Sequence, residues 1–324
     1  MLVKRRISVV AVDTNWILNH VIWYVICNMP KSENIKDTIR KDCRKQMDVG
    51  VVKVAEDQDF EKLKKLIDDH TGWRLDYNKS STKVWTKSIP TTSFKMIKVH
   101  TVFAEVSPQQ VYDVLHDPDY RKVWDQHMIE SHDIGCLNPN NDVGYYAMSC
   151  PAPLRNRDFV LQRSWLDTGQ EQFIINHSVF HQDFPPRRGF IRATSYLTGE
   201  IECHSPQFSF LIRPSGSASS ELGYVSQTDP HGTLPPWLVN KVTQIFAPKL
   251  VKKLLKASKA YPEWKEQNSP DWKPWHNPEQ MTAPRITIQD CMKTPDNIFH
   301  EPEDLGVDVR SFGTNLNHLD EDSE

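Results

Sequence analysis

The chain has 324 residues, enough for one large domain with tails or two small domains, and 38% of them are hydrophobic, with ten Trp and thirteen Phe to supply a core. The net charge of −3 hides an asymmetry: residues 262–324 sum to −9, residues 1–30 to +2 and the body between them to +4, without the concentrated basic face that would make nucleic acid the main partner. Six cysteines with no CxxC pair and no zinc-like spacing fit a reducing compartment, so a cytoplasmic location is expected.

Residues 1–54 read as a leader and linker. Arg5 and Arg6 precede the run ISVVAV in signal-peptide order, but Asp13, Thr14 and Asn15 interrupt it. The next apolar run, 16–27, is only twelve residues, against roughly 20 for a bilayer span. A dispensable start, a membrane-associating segment and a cleaved signal all stay open. The run DQDFEKLKKLIDDH then predicts a helix capped by Asp57 or Asp59, with Phe60, Leu63, Leu66 and Ile67 on one face and Gly72 ending it. Strand-like runs follow at 73–77, 83–87 and 94–106, the last with its apolar side at Ile97, Val99 and Phe103. A helix over 107–116 carries Val111, Val114 and Leu115 and stops at Asp117 and Pro118. In the segment 120–125, Arg121 and Asp125 stand at i and i+4, close enough to pair on a helical turn. Spacing leaves open whether that is a surface ion pair beside a core Trp124 or something functional.

Strand-like runs resume near 128–136, 143–149, 157–167, 171–180, 189–203, 206–213 and 221–229. Consecutive strands with helices at the ends predict an α+β fold with one antiparallel sheet. Arg157 and Asp158 are adjacent on a strand, so they point to opposite faces and are expected to hold neighbouring structure rather than each other. A final helix is predicted from Pro235 and Pro236, with an apolar stripe through Leu238, Val242, Ile245, Phe246, Leu250, Val251, Leu254 and Leu255, and with Pro248 kinking or restarting it. Residues 281–324 are acidic, poor in apolar side chains and expected to be disordered.

No catalytic site is predicted. The sequence has no GxSxG elbow, phosphate-cradling glycine loop or HExxH helix. Its thirteen histidines, among them His116, His127, His132, His177 and His181, are scattered, so structural or exposed roles are expected and no metal site.

Four stretches carry a resemblance. DYRKVWD, VGYY with CPAPLRNRD, PRRGFIRATSY, and PWLVNKVTQIFAPKLVKKLLKASKAYPEWK resemble, in family order over 55–280, the START lipid-binding domain of the phosphatidylcholine transfer protein subgroup. The resemblance implies a helix-grip fold, an antiparallel sheet wrapped around a long C-terminal helix enclosing a lipid cavity. It implies a monomer that exchanges one phospholipid at membrane surfaces, the lipid being cargo and not a cofactor. A buried phosphate needs a cation, and an arginine fork suits it; the family pattern places Arg121 and Asp125 there. It places the amine in an aromatic cage at Tyr146, Phe159 and Tyr196, where cation–π contacts contribute about 0.5–2 kcal/mol each. The subgroup has Trp, Tyr and Tyr at these positions, so two of the three depart from it, and acceptance of both phosphatidylcholine and phosphatidylethanolamine is expected. The terminal helix becomes a lid whose Lys249, Lys252, Lys253 and Lys256 meet anionic headgroups. The alternatives are a lipid-responsive interaction module without bulk transfer, and an enzyme of the helix-grip class.

Overall fold

In this computed structural model the described residues are 50, 52–88, 95–150, 155–195, 208–229 and 247–291. Alternation along the strands decides the architecture. The strands β1 (Arg74–Lys79), β2 (Thr82–Ser88), β3 (Lys95–Phe103), β4 (Met128–Asn138), β5 (Asn141–Met148), β6 (Asn156–Asp167), β7 (Gln172–Ser178), β8 (Phe190–Arg192), β9 (Thr194–Ser195), β10 (Phe208–Pro214), β11 (Ser220–Ser226) and β12 (Thr228–Asp229) are accompanied, among the described residues, by four α-helices. These are α1 (Asp57–Asp68), α2 (Pro108–His116), α3 (Pro118–Trp124) and α4 (Ala247–Gln267). The main sheet runs β1-β2-β3-β11-β10-β7-β6-β5-β4, antiparallel throughout, with β8 lying parallel beside β6. The α+β expectation holds.

Each face of the sheet finds a different partner. Ile97, Val99, Phe103, Trp165, Ile174, Ile212 and Leu222 face inward, against Val251, Leu254, Ala257 and Tyr261 of α4 and Val111, Tyr112 and Leu115 of α2. Their strand neighbours Met96, Phe173, Ile175, Leu211 and Val225 face outward, under Phe60, Leu63 and Ile67 of α1. The helix lies so close that a Cβ on Gly223 would meet Ile67 Cγ2 at 2.5 Å, which is why β11 carries glycine there.

Several local expectations change. Glu56, not Asp57 or Asp59, caps α1, and Asp59 sits at the third position and accepts from Glu56 N at 3.0 Å, completing a capping box. Gly72 does not end that helix, which stops at Asp68. Its last carbonyls go to Lys98: the fully buried ammonium donates to Leu66 O (3.1 Å), Ile67 O (3.3 Å) and Asp69 O (2.7 Å). It also lies 4.4 Å from the Trp73 ring, and burial still pulls its pKa down to about 8. Pro118 ends α2 as expected but also starts α3, so Asp117 is the C-cap of one helix and the N-cap of the next. Pro248 stands in the first turn of the described α4, while residues 235–246 lie outside the described chain.

Packed chain exceeds both expected domain limits of 55 and 280. Gly50 N bonds Ser178 O at 2.9 Å and Val52 is buried. At the other end Cys136 N donates to Pro284 O (2.8 Å), Ile286 N to Cys136 O (3.1 Å) and Gln182 N to Asp290 O (3.2 Å), and Cys291 is buried. The disorder expected from 281 therefore does not extend to 281–291; residues 292–324 and 1–49 lie outside the described chain.

Candidate functional site

The short helix α3 is fastened at its start. Asp117 Oδ1 accepts from Asp119 N and Tyr120 N, both at 3.0 Å, and its Oδ2 accepts from Tyr261 Oη (3.0 Å) and Lys265 Nζ (2.9 Å) of α4. Tyr120 Oη reaches Ala257 O on the same helix at 2.8 Å. One turn on, Arg121 Nη2 donates to Leu115 O, a C-terminal carbonyl of α2, at 3.0 Å. The helix dipole favours a cation at that end.

Asp125 is a looser partner for Arg121 than the i and i+4 spacing suggests, at 3.8 Å from Nη1. It accepts instead from Tyr146 Oη at 2.8 Å, so it ties α3 to β5. The guanidinium also lies 5.5 Å from the Trp124 ring, whose Nε1 has no hydrogen-bond partner among the described residues. The Arg121 side chain keeps 28% of its surface accessible, yet desolvation pulls its pKa below the ordinary value, partly offset by Tyr146 and Asp125.

Tyr146 and Phe159 stand opposite each other in the β5–β6 register, rings 6.3 Å apart and tilted by 47°. Burial, with Asp125 beside it, raises the Tyr146 hydroxyl pKa. The structure thus brings Arg121, Asp125, Tyr146 and Phe159 together. Tyr196 lies outside the described residues. Lys249, Lys252 and Lys256 are exposed on α4, and the half-buried Lys253 donates to Gln126 Oε1 at 3.1 Å.

Sequence reasoning missed a second half-buried guanidinium. Arg163 and Asp142 are register partners on the same inner face as Phe159 and Tyr146, with Arg163 Nε 3.1 Å from Asp142 Oδ1 and Nη2 bonded to Oδ2. Alternation through Phe159, Leu161, Arg163 and Trp165 marks Arg163 as inward-facing, and that signal was available. Arg157 and Asp158 behave as expected in not pairing with each other: the buried Asp158 accepts from Arg192 Nε (3.0 Å) and Nη2 (2.9 Å) and from Tyr145 Oη (3.1 Å).

The START domain family model matches residues 53–264. The chain belongs to the START domain family. This START chain is 41% identical over 240 residues to START domain-containing protein 10 of Mus musculus, covering 74% of this chain and 79% of that protein. It is 28% identical over 193 residues to the phosphatidylcholine transfer protein of Mus musculus, by its name a lipid carrier, covering 58% and 85%. The crystal structure of human STARD10 superposes with a TM-score of 0.68 at 39% identity, covering 76% of this chain and 97% of that one. The helix-grip fold expected from the motifs is the START fold found here. Among the described residues no group of His, Cys, Asp and Glu could hold a metal ion, and no helix is long and apolar enough to cross a membrane.

Proposed function

We propose that this START domain is a carrier and not an enzyme, holding one phosphatidylcholine or phosphatidylethanolamine inside the fold and exchanging it at membranes from the cytoplasm as a monomer. Kinship to lipid-transfer proteins supports the carrier class. The observation that carries the headgroup assignment is Arg121. Its one close bond goes to Leu115 O, and its ion pair with Asp125 is long. The rest of the five-donor fork is uncommitted among the described residues, which suits the two oxygens of a phosphate.

Tyr146 and Phe159 offer aromatic faces for the amine, with Tyr196 as the third member of the cage. The Tyr146 hydroxyl is committed to Asp125 and Phe159 has none, so discrimination rests on ring faces, which bind a methylated or a plain ammonium alike.

Lys249, Lys252, Lys253 and Lys256 cluster in the first half of α4. The second half is pinned by Tyr120, Asp117, Tyr261 and Lys265. In this reading the lid opens from its N-terminal end, where the lysines meet anionic headgroups.

Mass spectrometry of the lipid that copurifies with the full chain tests the assignment. We expect about one phosphatidylcholine or phosphatidylethanolamine per chain, both represented, and loss of most of it in Arg121→Ala with the fold intact. Full loading and wild-type transfer in Arg121→Ala would remove Arg121 from the site.

A further inference from the structure

Arg121 is not the only instructive residue of α3. On the solvent side of the same seven-residue helix, Val123 is 58% exposed, and Leu250, in the first turn of α4, is 50% exposed. A bond from Lys253 Nζ to Gln126 Oε1 ties α4 to the residues just after α3. Leu250 lies three residues before Lys253, a spacing that shares a helix face, and Gln126 follows the end of α3 at Trp124 by two residues. The same two helices carry Lys122, 58% exposed and paired with Asp119 at 2.7 Å, and the exposed Lys249, Lys252 and Lys256.

Exposed aliphatic side chains on helices that also carry exposed lysines have the chemistry of interfacial bilayer binding. The apolar tips enter the headgroup boundary, and each lysine gains from a negative surface potential. We propose that α3 and the first turns of α4 form a single docking face for an anionic membrane, with Val123 and Leu250 as the inserted residues. This rests on the reading that the chain exchanges phospholipid at membranes, and it adds α3 to the lysine-bearing helix. The consequence is geometric. Arg121 points inward two residues from Val123, so docking Val123 brings the phosphate-binding guanidinium within about one helix diameter, roughly 10 Å, of the headgroup plane. The face that touches the membrane and the group that takes the phosphate are then two sides of one helix.

The test is sedimentation of the full chain with phosphatidylcholine vesicles with and without phosphatidylserine. The variants are Val123→Asp combined with Leu250→Asp, and separately Val123→Trp. The double variant is expected to weaken binding to phosphatidylserine vesicles about tenfold or more, with copurified phospholipid unchanged. Val123→Trp, an interfacial anchor that unfolding could not mimic, is expected to tighten it several-fold. Wild-type binding by both variants overturns the docking face, and retained cargo in that case leaves the carrier reading standing. Variants that behave as expected on a chain devoid of phospholipid leave the face and sink the carrier reading. Binding seen only after residues 292–324 are removed, and then equal in wild type and double variant, assigns the lysines to the chain's own acidic segment and also overturns the proposal.

Discussion

His116 is an unusual residue in the inner core. It is 2% exposed at the end of α2, with ring centroids 4.4 Å from Tyr112, 5.1 Å from Trp165 and 5.7 Å from Trp275. Neither ring nitrogen has a hydrogen-bond partner among the described residues. Burial holds its pKa well below the ordinary 6.5, and the charges of Arg163, His276 and Arg121 push the same way. The native imidazole therefore stays neutral where the unfolded chain takes up a proton. Stability is lost as pH falls below about 6.5, by about 1.4 kcal/mol per pH unit, until the native pKa is reached. Phenylalanine fits the same aromatic niche and removes the unpaired nitrogens. His116→Phe should match or exceed the parent at about pH 7, by up to about 1 kcal/mol, and should lose this part of the acid slope. Urea unfolding at about pH 7 and about pH 5 measures both; a variant weaker by more than about 1 kcal/mol at the higher pH would show that the nitrogens are satisfied in solution.

Asp117 acts at the scale of whole elements. It is fully buried, ends α2, caps α3 and pairs with Lys265, which is itself 5% exposed and 5.4 Å from the Trp272 ring. Asp117→Ala deletes a cap worth about 1 kcal/mol and strands a buried ammonium, for a combined loss of at least about 3 kcal/mol. Adding Lys265→Met should recover part of it, because removing both charges is cheaper than removing one. Thermal unfolding of the two variants would show this, and equal stability would mean that Lys265 is hydrated instead. This joint also marks where sequence legibility ends. The break between α2 and α3 was readable from Pro118, whose effect is local. The partners of Asp117 stand 144 and 148 residues away, and no periodicity points to them. Arg121, Asp125, Tyr146 and Phe159 were readable from family motifs. Asp142 with Arg163 required the β5–β6 register, and Lys98, placed among polar alternates, required knowing that α1 ends above it.

At the scale of the molecule, the segment 268–291 works as a strap. It starts on α2, where Asp113 accepts from Lys273 Nζ (2.7 Å), Trp275 Nε1 (2.8 Å) and His276 Nε2 (2.8 Å). Burial alone would raise the Asp113 pKa, but these bonds outweigh it and hold the carboxyl below its ordinary value. The strap then crosses β4, the last strand of the sheet, so closely that a Cβ on Gly135 would meet Ile286 Cγ2 at 2.5 Å and Pro284 O at 2.7 Å. It ends beyond β7, where Gln182 N reaches Asp290 O. An uncovered edge strand is a template for association, and a core tryptophan contributes about 3–5 kcal/mol. A chain ended at Gln267 loses Trp275 from the inner core and leaves Asp113 without Lys273, Trp275 and His276, so it should be less stable than one ended at Cys291 by at least about 4 kcal/mol. It should also elute as larger species on gel filtration, through the bared β4. Equal melting temperatures for the two chains would mean that α2 and β4 hold without the strap. A destabilised chain that stays monomeric would confine the strap's contribution to the Asp113 and Trp275 anchor.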